Sequence, residues 1–182
     1  MVLGPVLWGL GLYEGIIQAN ESEERHTLYR WSRDYCNSVG KQLLQVGMRR
    51  HWWNPPEGDV TLDIDPAVLS TPGGIIGDVR GMNIFRDKQF GAVICSHVLE
   101  HLQSAGDIEL AVSECIRVAD KTVFIAPSPY SIVAMLHPQH KFRLWFAKDT
   151  VKVLSNEWSI GQSMVTNETP KVIDMSRTFI LE

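Results

Sequence analysis

Five short apolar runs, each bounded by turn-forming residues, divide the middle of the chain. In order they read KQLLQVG, DVTLDID, GGIIGDV, FGAVICS and KTVFIAPSP. Continuous runs of this length are typical of strands buried on both faces. Between the fourth and fifth runs, DIELAVSECIRVA has apolar residues at helical spacing. A strand, a helix and a strand in this order predict a right-handed crossover and a parallel sheet.

The predicted fold class is therefore α/β, a Rossmann-like open and mostly parallel sheet with flanking helices. The helix after the first strand is predicted to be missing or short, because the adjacent Pro55 and Pro56 in that connection would break it. After Pro129 the pattern loosens. There FRLWFAKDTVKVLSN predicts one helix, and SRTFILE predicts a final edge strand.

The N-terminal part divides into an apolar stretch and a helix. Residues 1–20 are predicted to be an apolar strap that packs on the domain or on a partner, with membrane contact of residues 1–17 as the alternative. Residues 21–182 are predicted to form a single domain. A helix is predicted from Glu21, capped by Asn20 or Ser22. Its apolar stripe is formed by Leu28, Trp31 and Tyr35.

Net charge and cysteine spacing make some classes of protein improbable for this chain. The chain has 182 residues and a net charge of −4, so it lacks the basic footprint of a nucleic-acid-binding protein. Its three cysteines are widely spaced, which argues against a disulfide framework and favours a reducing, cytoplasmic compartment.

The carboxyl ends of the predicted strands are the positions to search for a site, because ligands bind there in open α/β sheets. These ends are Gly47 to Arg50, Asp63 to Pro66, Asp78 to Arg80, Ser96 to His101, and Pro127 to Tyr130.

One block carries a family resemblance. The segment GDVRGMNIFRDKQFGAVICSHVLEHL resembles the class I S-adenosylmethionine-dependent methyltransferases in their small "type 11" form, and the resemblance extends over residues 24–130. Gly91 stands where the family usually has aspartate.

The resemblance implies S-adenosylmethionine as cofactor and assigns a role to each matching residue. Asp63 would bind the ribose hydroxyls, and Asp78 would bind the adenine amino group beside the Val79 backbone. Ile64 and Met82 would sandwich the adenine. Ser96 and His97 would lie near the methionine part.

The first turn departs from the family pattern, because LLQVGMRR keeps only Gly47 of the expected glycines and has Gln45 in place of the family's acid. Two interpretations remain. In one, Gly47 suffices and an arginine pairs with the cofactor carboxylate. In the other, the side chains of Met48 to Arg50 fill the site, and the domain is a non-catalytic subunit that binds or scaffolds.

The letters HVLEH, from His97 to His101, also match the inverted zinc-protease motif. That motif needs a helix, whereas a predicted strand runs directly into His97. The sequence therefore predicts no metal site.

The acceptor side is predicted in the loop after the fifth strand, where HPQH places His137 and His140. Either of these, or His97, is a candidate base near neutral pH. A proline-stiffened surface turn is the alternative interpretation of HPQH.

The predicted function is methyl transfer from S-adenosylmethionine to a small-molecule, sugar or lipid-linked acceptor. The apolar strap, the six tryptophans and the short C-terminal region predict a homodimer or a larger assembly.

Overall fold

The computed structural model describes residues 3–48, 58–147, 150–155 and 171–174. Five strands form a sheet in the order β3-β2-β1-β4-β5. Their bounds are β1 Leu43–Val46, β2 Val60–Asp63, β3 Gly74–Ile76, β4 Phe90–Ser96 and β5 Ala119–Ile125. Every neighbouring pair is parallel. The predicted fold class and the five predicted strands are confirmed.

Two helices cover opposite faces of this sheet. Helix α1, Leu3–Val39, packs on Leu43, Ala92 and Ile94. Helix α2, Ala105–Val118, packs on their sequence neighbours Leu44, Val93 and Cys95. Successive residues of a strand point to opposite faces, so this alternation divides the core into two layers. The crossover helix predicted between the fourth and fifth strands is confirmed.

Helix α1 is longer than predicted. It begins at Leu3 and runs without a break through Asn20 and Ser22, so the caps predicted at those two residues are wrong. Its buried seam is formed by Tyr29, Ser32 and Cys36. The predicted stripe of Leu28, Trp31 and Tyr35 is only partly buried and lies beside that seam.

The first half of α1 is apolar and points largely into solvent. Between residues 7 and 20, Glu14 is the one buried residue, whereas Trp8, Leu12 and Ile16 are exposed. Among the described residues, no helix is both long enough and apolar enough to span a membrane.

The chain after β5 forms a short helix and a second sheet. Helix α3 spans Ile132–Leu136, and the antiparallel strands are β6 Phe142–Ala147, β7 Thr150–Ser155 and β8 Lys171–Asp174. The helix predicted over FRLWFAKDTVKVLSN is therefore wrong. Leu144, Val151 and Val153 pack on the same core layer as α2. The predicted edge strand SRTFILE, and residues 49–57 with the two prolines, lie outside the described residues.

Candidate active site

A cleft of about 1130 Å³ opens at the carboxyl ends of the parallel strands. A residue at the end of each strand, or one or two positions beyond it, lines the cleft: Gly47, Asp63, Asp78, His97 and Pro127 for β1 to β5 in turn. Helix α1 forms a wall of the cleft through residues that include Glu21, Arg25 and Tyr29. The predicted strand ends therefore converge on one site.

The turn after β1 requires glycine at position 47. Gly47 has a φ of +92°, and a Cβ there would lie 2.8 Å from the Ser96 carbonyl oxygen and 2.7 Å from Val98 Cγ2. Its N–H donates to the Leu62 carbonyl oxygen at 2.9 Å. The first family glycine is thus kept for a steric reason. Met48 lines the cleft, whereas the proposed contacts of Arg49 and Arg50 lie outside the described residues.

Gln45 has a structural role that the sequence analysis missed. Its side chain is buried, its Nε2 donates to the Gly47 carbonyl oxygen at 2.7 Å, and its Oε1 accepts from the Gly58 N–H at 3.1 Å. The amide thereby ties together the two described ends of the segment between β1 and β2. A carboxylate could accept the second bond but could not donate the first.

Asp63 presents an ordered carboxylate to the cleft. Its Oδ2 accepts from the Met48 N–H at 2.7 Å, and its Oδ1 accepts from the Asp65 N–H at 2.9 Å. Each carboxylate oxygen has a second lone pair available for another donor, such as a hydroxyl group. Ile64, the next residue, also lines the cleft and is 73% exposed.

Asp78 reaches the same cleft and is held by Arg80. The guanidinium Nε lies 3.0 Å from both Asp78 oxygens, and Nη1 bonds Asp107 at 3.0 Å. These hydrogen bonds from Arg80 hold the pKa of Asp78 below its usual value. The carboxylate is therefore ionised near neutral pH, and a further donor would have to share it with Arg80.

The structure brings most predicted cofactor-site residues together but leaves one out. Val79 and Ser96 line the cleft with the two acids. Met82 is buried in the core at 1% exposure, and its N–H donates to Glu114. Met82 does not line the cleft, so the structure does not place it beside Ile64, and the adenine sandwich of these two residues stays a prediction.

His97 lies at the end of β4 in a left-handed conformation, with a φ of +55°. Its Nε2 lies 2.6 Å from Arg25 Nη2, and its Nδ1 lies 3.5 Å from Glu100 Oε1. Arginine can only donate, so the Nε2 lone pair is directed at Arg25. For His97 to act as a base through Nε2, Arg25 would first have to move away.

A second group of histidines lies on the same cleft. The ring centroid of His140 is 4.3 Å from that of His137 and 4.8 Å from that of His101. Burial lowers the pKa of His140 below its usual value. The Lys141 N–H donates to the Glu100 carbonyl oxygen at 2.7 Å, which joins the HPQH loop to the HVLEH segment. Each segment is recognisable in the sequence, but their contact is not.

Helix α1 also holds the loop that follows β5. Glu14 accepts hydrogen bonds from the Ser131 hydroxyl and, at 2.9 Å, from the Ile132 N–H. Glu21 accepts from the Ser128 N–H at 2.6 Å. Burial raises the pKa of Glu14, but these hydrogen bonds outweigh it and leave the pKa below its usual value. In the sequence this acid stood out only as a break in an apolar run.

Comparison with known proteins agrees with this arrangement. Residues 60–126 match the family model described as methyltransferase domain. The match runs from the start of β2 to just beyond β5 and includes both cleft acids, whereas β1 and Gly47 precede it. No curated protein matches the chain. Residues 60–126 are therefore similar to a methyltransferase domain, and the five-stranded parallel sheet around them is consistent with the class I methyltransferase fold.

Proposed function

We propose that the protein transfers a methyl group from S-adenosylmethionine to a small-molecule acceptor, a class in which we include sugars and lipid-linked molecules. One observation carries the proposal. Asp63 and Asp78, at the ends of the neighbouring strands β2 and β3, line one cleft together with Gly47. Two carboxylates in this position suit the vicinal hydroxyls and the amino group of an adenosine.

The residues present fit the cofactor. Asp63 is oriented by two backbone N–H groups and keeps acceptor capacity for a ribose hydroxyl. Asp78 and Val79 would hold the adenine, and Ser96 would lie near the methionine part. When bound, the cofactor supplies an electrophilic methyl group on a sulfonium. The protein's main task is to align the acceptor with that group, because orientation provides much of the rate in such reactions.

The acceptor is assigned to the histidine side of the cleft. Asp78 follows β3 at one edge of the sheet, and the loop bearing His137 and His140 follows β5 at the other. Neighbouring strands lie about 4.8 Å apart, so these edges are roughly 19 Å apart. The cleft volume of about 1130 Å³ slightly exceeds the usual range for ligand sites, about 300–1,000 Å³. It therefore has room for a cofactor and a small acceptor.

Calorimetric titration with S-adenosylhomocysteine tests this function. We expect micromolar binding to the wild type, a loss of at least about tenfold in Asp63→Asn, and no change in the exposed control Asp34→Asn. Tenfold corresponds to about 1.4 kcal/mol, less than the usual value of a hydrogen bond to a charged group. A thermal melt checks that each variant is folded.

The same titration separates the two interpretations of the first turn. If the wild type fails to bind at millimolar ligand, the proposal is wrong and the domain is a non-catalytic methyltransferase-like subunit. If Asp63→Asn is folded and binds as tightly as the wild type, the ribose assignment is wrong. Transfer of a labelled methyl group to phenolic, sugar and lipid-linked acceptors then identifies the acceptor class.

A further inference from the structure

Glu100 is a buried acid without an ordinary partner. It is 1% exposed, and neither carboxylate oxygen accepts a hydrogen bond from the part of the chain that the structure describes. The His97 Nδ1 lies 3.5 Å from Oε1, beyond good hydrogen-bond geometry. A buried ionised carboxylate is costly unless a cation or several donors compensate its charge. The folded chain therefore leaves an acceptor group with unused capacity.

Two histidines complete a set of metal ligands around this acid. Glu100, His101 and His140 each offer one ligand atom, and the three atoms lie within 4.8 Å of one another. In a tetrahedral site with bonds of about 2.1 Å, ligand atoms lie roughly 3.4 Å apart, so side-chain rotations would have to bring the three atoms closer by up to about 1.4 Å. Both histidines line the open cleft, so an ion bound here could also bind a ligand from the cleft.

Hydrogen bonds from the two histidine rings to backbone carbonyls favour metal binding by these rings. The Nδ1 of His101 lies 3.1 Å from the Gln139 carbonyl oxygen, and the Nδ1 of His140 lies 3.0 Å from the Ala134 carbonyl oxygen. A carbonyl can only accept, so each ring carries its proton on Nδ1 and has its lone pair on Nε2. Metal-binding histidines are oriented in this way by backbone carbonyls.

We propose that Glu100, His101 and His140 form a binding site for a divalent transition-metal ion on the acceptor side of the cleft. Two imidazoles and one carboxylate suit Zn²⁺, Mn²⁺, Fe²⁺ or Co²⁺ better than Mg²⁺ or Ca²⁺, which prefer oxygen ligands. Three protein ligands leave further positions open, as in catalytic rather than structural metal sites.

The ion also indicates the acceptor chemistry, and this part rests on the proposed function. An acceptor hydroxyl bound to the ion has a lowered pKa and releases its proton to solvent. Its oxygen then forms a bond to the methyl carbon as the carbon–sulfur bond breaks, and the electron pair of that bond remains on sulfur. The acceptor is therefore a hydroxyl compound, and the transfer is an O-methylation.

Metal binding is measured directly on the untagged protein. We expect Co²⁺ to produce visible absorption bands and Zn²⁺ to displace Co²⁺ at one equivalent. Glu100→Gln and His140→Ala should each weaken Co²⁺ binding by at least about tenfold, the lower end of the cost of losing even an outer-sphere partner. His26→Ala, on α1 outside the cluster, is the matched control and should bind like the wild type.

Thermal melts distinguish the loss of the metal site from misfolding of a variant. Zn²⁺ should raise the Tm of the wild type and of His26→Ala but not that of folded Glu100→Gln, because only an intact site stabilises the native state by binding. The metal proposal is overturned by a wild type that does not bind Co²⁺, by equal binding in Glu100→Gln, or by equal loss in His26→Ala.

The metal proposal and the proposed function can be refuted independently of each other. Metal binding without S-adenosylhomocysteine binding supports the metal site and contradicts the proposed methyl transfer. Binding of both, with labelled methyl transfer to a phenolic acceptor that is unchanged by a chelator, contradicts the role of the ion in O-methylation. Transfer that falls at least tenfold with chelator and returns with Zn²⁺ or Mn²⁺ supports it.

Discussion

At the scale of single residues, this site depends on side chains that bond to backbone groups. Gln45 bridges Gly47 and Gly58, and Asp63 accepts from Met48 and Asp65. These bonds fix the first turn without the glycines that the family resemblance leads one to expect. The turn retains one glycine, at the position where a Cβ would meet backbone atoms of β4.

Gln45→Glu tests the bridge, because it keeps the size of the side chain and removes its donor. We expect the free energy of unfolding at pH 7 to fall by about 1–3 kcal/mol, the cost of a buried polar group left without its partner. Burial should raise the pKa of the new carboxyl, so its protonated form regains a donor. The penalty should therefore shrink as the pH falls towards 5.

Urea unfolding at the two pH values measures this effect. Gln42→Glu, at the exposed position just before β1, is the control and should be close to neutral at both pH values. A penalty in Gln45→Glu that is equal at pH 7 and pH 5 would contradict the donor argument.

At the scale of elements, the parallel sheet could be predicted because each strand is a continuous apolar run between turn residues. The β6 segment could not, since the run FRLWF is equally compatible with a helix. In β7 the alternation of buried Val151 and Val153 with exposed Lys152 marks a strand.

The contact between His101 and His140 could not be predicted from the sequence, because it depends on the hydrogen bond between Lys141 and Glu100. Met82 stands where the family resemblance implies a contact with the adenine, but its side chain is buried in the core.

Helix α1 is held across the cleft by an acid, so its docking should depend on pH. The folded pKa of Glu14 lies below its ordinary value of 4.5. A lowered folded pKa gives stability that is present above the unfolded value and is lost as the pH falls through the folded value. We expect amide-exchange protection of the first half of α1 to decrease below about pH 4.5.

Glu14→Gln removes this dependence. In that variant, protection should be lower at pH 6 by roughly tenfold and nearly constant with pH, as measured by hydrogen exchange corrected for intrinsic rates. Glu24→Gln, on the exposed surface of the same helix, should keep the wild-type profile. An unchanged profile in Glu14→Gln would show that other contacts hold the helix.

At the scale of the whole molecule, the exposed apolar surface is concentrated on the first half of α1. Trp8, Leu12 and Ile16 recur at four-residue intervals and are 83%, 68% and 55% exposed. Residues at this spacing form one stripe on a helix, and exposed stripes of this kind are typical of association surfaces. We therefore propose that two copies of the chain associate through this stripe.

Sedimentation velocity tests the association. The wild type should sediment as a dimer, and Leu12→Glu should sediment as a monomer, because a charge buried in an apolar interface is costly. Leu10→Glu makes the same substitution at a 45% exposed residue on the opposite face of the helix and should remain dimeric. A wild type that is monomeric at tens of micromolar would refute the proposal.

The unbroken course of α1 connects this stripe to the cleft. The helix has 37 residues and is therefore about 55 Å long, and its Arg25 donates to the Nε2 of His97. A tilt of the outer half, imposed by a neighbour, would change the contact between this guanidinium and the imidazole. Association and the geometry of the cleft would then be linked, and the NMR signals of His97 would report whether the helix has moved.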